Sequence, residues 1–544
     1  MNDDGLKKIE HILLYLLLGL GVIAILGILC LINMTQESAV EVQDISTEEE
    51  STEDTYDWEA GLSDSTLWLP DNCALYEQLP DFTIEDEAGN VRHISDFEGT
   101  KTVIVFWASW CEDCQEQMPH MKDYIKLADA YGEIQFLFIN KTDGSKETKN
   151  SSKVYFDELA LDIPLYYDID LYAYNSLGLH NIPTTLFLDE TGRVITWSPK
   201  QITENSTFEA YLNCLSNGNS MATEQFVTER LMDENGGIHS EFDASKEITD
   251  QSDVLSESQG LLMQYAVAQK NQELFDQLWV YVSTCMLKDG LAAWTITGEA
   301  PSRVNALLDD LRIYQALSGA QNLWGGYETM LEEYQKNLAE FGMKEEQFVD
   351  FYDAENKQKA DRLTLCYIDL QTMQQLAEQD TAFEQAYQSA RRILVQGQIS
   401  DSFPLYYSWY DYDSGKYQKD ELNMAEAMVT LLHLAQENLL PDPTIKWLKN
   451  QMSGNGIKAR MNVKGEVVSG YNYDSTAVYA LIVLIADEIE DDTLRGQALR
   501  KMEKMRNNDM SLTYNGAFGM EDGSDIQSFD QLLPLLVYAQ MENK

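Results

Sequence analysis

The sequence predicts two folded parts, an α/β domain followed by an all-α domain, behind an N-terminal transmembrane helix. Three stretches carry that prediction. Ile12 to Ile32 is an uncharged run, mostly Leu, Ile, Val and Gly, of a length that spans a bilayer. Val103 to Pro119, VIVFWASWCEDCQEQMP, reads as a buried strand, a short turn, a Cys-x-x-Cys pair and a helix. From Met221 to Lys544 strand signals nearly vanish, and apolar residues recur with the 3.6-residue helical period.

Lys7 and Lys8 precede the apolar run, and no Lys or Arg follows until Arg92. The positive-inside rule then makes residues 1–11 a cytoplasmic tail, 12–32 the span, and everything after Asn33 extracytoplasmic. A cleaved signal peptide fits less well, because the apolar core is long and no A-x-A site follows it. Leu29 stands before Cys30, where a lipoprotein signal demands a small residue. Residues 33–65 are rich in Glu, Asp, Ser and Thr and bury little apolar area, so a disordered, self-repelling spacer is expected. The chain of 544 residues is too long for one core. Its 91 acidic against 38 basic residues give a net charge of −53, which argues against nucleic acid and against anionic membrane surfaces as partners.

The pair Cys111-Glu-Asp-Cys114 follows its strand directly and opens a helix. A helix N-terminus stabilises a thiolate through its dipole and free N–H groups. Cys111 is therefore expected to attack and Cys114 to resolve, as in thiol-disulfide exchange. A zinc site needs four ligands, and no second Cys-x-x-Cys or nearby His pair supplies them, so neither metal nor cofactor is expected. Cys73 and Cys214 sit near the two ends of this domain, and a pairing between them stays open. Cys285 and Cys366 fall in apolar helical patterns and are expected as buried thiols.

The segment FWASWCEDCQEQMP resembles the active-site segment of the thioredoxin-like fold, above all in membrane-tethered bacterial thiol-disulfide oxidoreductases and peroxiredoxin-like redoxins. The resemblance covers about Leu79 to Leu215. It includes a hairpin turning at Gly89-Asn90, the active-site Trp110, and Ile182-Pro183-Thr184-Thr185, which matches the cis-proline loop beside the sulfurs. Pro183 is accordingly expected to be cis. Glu112-Asp113 departs from the family's usual proline, and two carboxylates there are expected to raise the pKa of Cys111. Ser216 to Ser220 reads as a short polar break closing the domain, assigned 66–219.

In the helical part, assigned 220–544, apolar helical faces appear at Gln259–Gln269, Glu273–Leu287, Asp309–Gly319, Leu363–Glu378, Phe383–Gln396, Glu421–Asn438, Thr476–Glu490 and Ser528–Gln540. Stacked helical hairpins, as a toroid or solenoid, suit that length. Three acids sit at helix starts. Ser256-Glu-Ser-Gln259 fits a capping box with Glu257 in the first turn, Asp309-Asp310 opens the next helix, and Asp474 reads as an N-cap.

Val254 to Met263 and Gln272 to Trp279 resemble the segment of glycoside hydrolase family 8 that carries the general acid. Asn305 to Leu317 resembles that family's second motif, and Tyr473 to Tyr479 the segment carrying the general base in endoglucanases of cellulose-secretion systems. The resemblance implies an (α/α)6 barrel and inverting hydrolysis. Glu257 would protonate the leaving oxygen, Asp474 would activate water, and Asp310 would hold the sugar. Such a pair of carboxyls stands roughly 6.5–9.5 Å apart. Trp294, Tyr406, Tyr407 and Trp409 would offer apolar ring faces to sugars. Ser258, Leu261, Leu262 and Leu308 depart from the family's residues.

The expectation is thus a single-pass membrane protein with both domains extracytoplasmic. One domain is a thioredoxin-like oxidoreductase with a thiol-disulfide partner protein. The other is a family-8-like endo-glycosidase acting on a β-linked polysaccharide, in exopolysaccharide production. The rival expectation is a helical domain that only binds glycan or protein.

Overall fold

The computed structural model describes residues 70, 72–198, 200–246, 252–298 and 300–542. The tail, apolar run and acidic spacer of residues 1–65 lie outside the described residues. Among the described residues, no helix is long and apolar enough to cross a membrane.

The strand read from Val103 to Trp107 is the middle of the first domain. The sheet comprises β1 (Thr83–Asp86), β2 (Val91–His93), β3 (Lys101–Trp107), β4 (Ile134–Thr142), β5 (Leu165–Ile169), β6 (Thr184–Leu188) and β7 (Val194–Ser198). Their order is β2-β1-β5-β4-β3-β6-β7. β3 runs parallel to β4 and antiparallel to β6, and it is buried from Thr102 onward, as its unbroken apolar sequence requires. The β1–β2 turn forms where expected: Asp86 Oδ1 accepts from the N–H groups of Ala88 and Asn90, and Gly89 takes φ +87°. The helices of this domain are α1 (Glu112–Gln117), α2 (Met121–Ala128), α3 (Lys149–Glu158), α4 (Tyr172–Leu177) and α5 (Asn205–Asn217). Tyr124 of α2 stacks on Phe208 of α5 with ring centroids 4.2 Å apart. Each such buried ring contributes roughly 1.5–3 kcal/mol.

The second domain is a closed ring. Its inner helices are α7 (Ser256–Ala268), α9 (Leu307–Trp324), α11 (Leu370–Gln379), α13 (Met424–Gln436), α15 (Thr476–Glu488) and α17 (Phe529–Glu542). Each packs on the next, and α17 returns to α7. The outer helices are α6 (Asn219–Phe226), α8 (Gln272–Tyr281), α10 (Glu328–Phe341), α12 (Glu384–Gln396), α14 (Asp442–Met452) and α16 (Asp492–Glu503). Six inner and six outer helices make the expected (α/α)6 barrel. Inner helices are apolar nearly all round: every residue of α15 from Thr476 to Val483 is buried. Outer helices show a narrow apolar stripe, and α10 buries only Tyr334 and Leu338. That is why α10, α14 and α16 gave no clear helical face in the sequence. Short strand pairs, such as Thr295–Thr297 with Ala300–Pro301, interrupt the helical pattern in loops where no strand was expected.

The described part forms one compact unit. The expected polar break at 216–220 is instead a buried junction. Only Gly218 separates α5 from α6, and Asn219 is fully buried. The Arg506 guanidinium, also buried, donates to Asn219 Oδ1 and to the Asn219 carbonyl, both at 2.7 Å. Asn219 Nδ2 donates to Tyr76 Oη at 2.6 Å and to the Ile195 carbonyl at 2.9 Å. Glu542, near the end of α17, accepts from the Ser220 N–H at 3.1 Å. At the rim of the same interface, Arg495 pairs with Glu77 at 2.5 Å. These buried hydrogen bonds fix the orientation of the domains, although Arg506 Nε has no hydrogen-bond partner.

Two local expectations are corrected. Ser256 does not cap α7: Leu255 occupies the N-cap, and Gln259 Nε2 donates to the Gly236 carbonyl. Asp474 does not cap α15 either, because Ser475 stands there and Asp530 supplies the carboxylate, accepting from the Ala477 N–H at 2.6 Å.

Candidate active sites

The first site sits at the end of β3. Cys111 is the N-cap of α1, and the Cys114 N–H donates to its sulfur at 3.4 Å. Ile182-Pro183 is cis, and the Ile182 carbonyl accepts from Cys111 Sγ at 3.3 Å. Cys114 is fully buried, whereas Cys111 keeps 8% of its surface exposed. The Cys111 pKa is lowered from 9.0 to about 7, chiefly by the Cys114 S–H donating to it. The Asp113 charge pushes the other way and is outweighed, so the expected rise is overturned. Burial, and then its hydrogen bond to Cys111, drives the Cys114 thiol far up. One sulfur is thus ready to attack and the other holds its proton.

Trp110 is half-buried beside the pair, with the Lys146 ammonium 3.2 Å from a ring centroid. The brace of this loop was not foreseen. Glu147 is fully buried and accepts from the Ser109 N–H at 2.6 Å, Ser109 Oγ at 2.8 Å and Ser151 Oγ at 2.6 Å. Nothing in the sequence marks it, since it lies 36 residues from Cys111. Cys73 and Cys214 are both buried free thiols and do not pair. Burial raises the Cys73 pKa to about 12. Cys366 is buried as expected, but Cys285 is exposed.

The second site is a cavity of about 350 Å³ lined by Glu257, Trp294, Leu308, Asp309, Asp350 and Tyr367, among others. Glu257 enters from the first turn of α7 and Asp309 from the first turn of α9. Arg312, one turn further along α9, holds both: its Nη1 is 3.3 Å from Glu257 Oε2 and 3.6 Å from Asp309 Oδ1. Ser256 Oγ donates to Asp309 Oδ2 at 2.6 Å. Burial first, and then the Glu257 charge, raise the Asp309 pKa to about 7. Asp350 accepts from Arg362 Nε at 2.8 Å and from Thr364 Oγ1 at 2.8 Å. Burial, followed by the Glu257 charge, also raises the pKa of Glu426 in the first turn of α13. Acids from the first turns of three inner helices, α7, α9 and α13, therefore lie at one end of the barrel, where the N-terminal dipoles favour negative charge.

The structure brings only part of the expected constellation together. Glu257 and Trp294 line the cavity, and Trp294 is 44% exposed. Asp310 does not reach it. Its buried carboxylate accepts from the Ala292 N–H at 2.9 Å and from Asn305 Nδ2 at 2.6 Å, and burial raises its pKa to about 6. Asp309 faces the cavity instead, because neighbours on a helix point about 100° apart and only one of them can. Asp474 is exposed, lies outside the cavity and is bonded by Lys458 at 2.9 Å. Trp409 is half-buried; its Nε1 donates to Asp420, and the Arg362 guanidinium lies 5.1 Å from its ring. Tyr407 stacks on Tyr417 beside a smaller pocket that includes Glu426, and Tyr406 is core. Among the described residues, no group of three His, Cys, Asp or Glu side chains is arranged to hold a metal ion.

Comparison with known proteins agrees with this division. Residues 75–196 match the AhpC/TSA family, and residues 202–345 match the glycosyl hydrolases family 8. The Bacillus subtilis protein YdaJ, whose name carries the word lipoprotein, is 27% identical over 330 residues, covering 59% of this chain and 87% of its own. The thiol-disulfide oxidoreductase ResA of Geobacillus thermodenitrificans is 27% identical over 121 residues, 22% of this chain and 67% of its own. A solved structure described as a novel alpha-amylase from Clostridium perfringens superposes with a TM-score of 0.55 at 30% identity, covering 59% of this chain and 97% of that one. The chain therefore joins two enzyme-like regions in one polypeptide: one matches the AhpC/TSA family and is similar to thiol-disulfide oxidoreductases, and the other matches the glycosyl hydrolases family 8.

Proposed function

We propose that the barrel hydrolyses glycosidic bonds within an extracytoplasmic polysaccharide, with Glu257 as the acid that protonates the leaving oxygen. One observation carries this reading: Glu257 and Asp309 share Arg312 in a cavity that also presents the exposed ring of Trp294. Burial, and then the Glu257 charge, keep Asp309 protonated up to about pH 7, so a protonated carboxyl stands in the cavity beside Glu257. Glu257 is the less buried of the two, its side chain 33% exposed against 10% for Asp309, and is the carboxyl open to a bound glycan. Asp474, expected as the base of an inverting pair, is exposed on Lys458 and is not among the residues that line this cavity.

The substrate read from the sequence is β-linked, as in exopolysaccharide production. A second reading is an α-linked glucan, favoured by the name of the Clostridium perfringens relative. Membrane attachment through residues 12–32 is supported by the Lys7-Lys8 flank. In that compartment the Cys111–Cys114 pair would exchange disulfides with a partner protein. The test is reducing-end release from cellulose, chitosan, xylan, acetylated glucosamine polymers and starch, run beside Glu257→Gln. Cleavage of one polymer that the variant loses supports the assignment and names the linkage. Cleavage that survives in the variant removes Glu257 from the role, and silence on every polymer favours a binding domain.

A further inference from the structure

The Cys111 sulfur works only where its hydrogen bonds reach it, so the chain leading into it has to be held. That chain is a tight turn. The Cys111 N–H donates to the Ala108 carbonyl at 3.3 Å, with Ser109 and Trp110 between them. Both backbone groups of Ser109 are pinned. Its carbonyl accepts from Gln115 Nε2 at 2.6 Å, and its N–H donates to Glu147 Oε2 at 2.6 Å.

These two bonds differ in what they tie together. Gln115 belongs to α1, the helix that Cys111 itself opens, so its bond travels with the sulfur. Glu147 belongs to a separate part of the domain. It precedes Thr148, the N-cap of α3, and its own N–H donates to Asp143 Oδ1 at 3.0 Å. One carboxylate oxygen accepts from Ser109 Oγ at 2.8 Å as well as from the Ser109 N–H, and the other accepts from Ser151 Oγ of α3 at 2.6 Å. Lys146, the residue before it, lies over the ring of Trp110. The Asp143–Glu147 loop therefore grips both middle residues of the turn. A fully buried carboxylate is costly to keep, and this one is spent on joining the turn to α3.

We propose that Glu147 is a positioning residue for thiol-disulfide exchange: it anchors the Ala108–Cys111 turn to α3 and so holds the Cys111 sulfur within reach of the Cys114 N–H and the Ile182 carbonyl. It acts through Ser109 rather than on either sulfur. What Ser109 needs is an acceptor at the right distance, and the charge of that acceptor is secondary. The inference rests on the exchange chemistry assigned to the Cys111–Cys114 pair.

The test is the pH midpoint of Cys111 alkylation by iodoacetamide in the full chain, read by mass spectrometry on the peptide that carries Cys111. Thermal unfolding by circular dichroism is measured beside it. Glu147→Ala leaves the buried Ser109 N–H without its acceptor and should raise the midpoint from about 7 by about one pH unit or more, toward the 9.0 of an unassisted thiol. Glu147→Gln keeps an acceptor oxygen at the same reach and should stay within about 0.3 pH unit of the parent. Where Glu147→Ala unfolds, Glu147→Asp, which withdraws the carboxylate by one methylene, should show the same rise. A residue that only stabilises the fold would lower the unfolding temperature of the Ala variant and leave its alkylation midpoint at about 7; that result overturns the inference. So does a Glu147→Gln midpoint as high as that of Glu147→Ala, which would assign the effect to charge. A parent midpoint near 9.0 would overturn the exchange reading itself, and the inference with it.

Discussion

Removing the Cys114 side chain should reverse the reactivity profile of Cys111 across pH. The Cys114 S–H is the chief cause that lowers the Cys111 pKa from 9.0 to about 7. With a midpoint of about 7, about half of Cys111 is thiolate at pH 7; at 9.0 about one per cent is, a roughly 50-fold loss. The more basic thiolate is the better nucleophile, and a Brønsted slope of about 0.4–0.5 returns roughly 6–10-fold over two pH units. Cys114→Ala should therefore alkylate with iodoacetamide at most about 5–8-fold more slowly than the parent at pH 7, and several-fold faster at pH 10. The sign is that of an acid whose pKa is depressed: the parent gains its thiolate early, and the variant gains it late. Asp113→Asn is the control, and it should move the midpoint down, because that charge opposes the thiolate. Two rate profiles that run parallel without crossing would sink the argument, since the hydrogen bond from Cys114 would then not govern Cys111.

Glycan hydrolysis should fall as pH rises through about 7, where Asp309, held up by burial and by the Glu257 charge, loses its proton; Asp309→Asn should remove that limb, and an unmoved alkaline limb would take Asp309 out of the reaction. Asp474→Asn should keep turnover within about twofold, because its carboxylate lies outside the cavity; a loss matching that of Glu257→Gln would restore Asp474 as base. Asn219→Ala removes an acceptor of the buried Arg506 and two donated hydrogen bonds, a change of about 3–5 kcal/mol. Urea unfolding followed by tryptophan fluorescence and by helical circular dichroism should show both midpoints falling together; a shift in one signal alone would mean that the junction does not couple the domains.

What was legible in the sequence was local chemistry with a strong pattern. The unbroken apolar run before Cys111 specifies a central strand, and the fused Cys-x-x-Cys and helix start place the attacking sulfur, because neighbours in sequence are neighbours in space there. Inner barrel helices are apolar nearly all round, so α15 and α17 stood out, and Glu257 at a helix start could be named from its own segment. Outer helices such as α10 and α14 carry too few buried residues for their period to rise above the polar background. Site membership was a different matter. Asp309 and Asp310 are adjacent in the chain, yet one faces the cavity and the other is walled in by Asn305 and the Ala292 N–H. Choosing between them needs the rotational phase of α9, which the ring of helices sets. Asp474 reads as a cap in the sequence, yet Ser475 takes that position, and Lys458, 16 residues away, bonds the Asp474 carboxylate.

By itself, then, the sequence determined the two fold classes, the place of the Cys-x-x-Cys pair at a helix start and that of Glu257 in the first turn of α7, all written in short contiguous segments. Only the tertiary structure decided the direction of the Cys111 pKa shift, the replacement of Asp310 by Asp309 and the buried junction at Asn219. Each of these depends on which distant side chains meet in a low-dielectric interior, and burial and partner distance exist only once the chain has closed on itself.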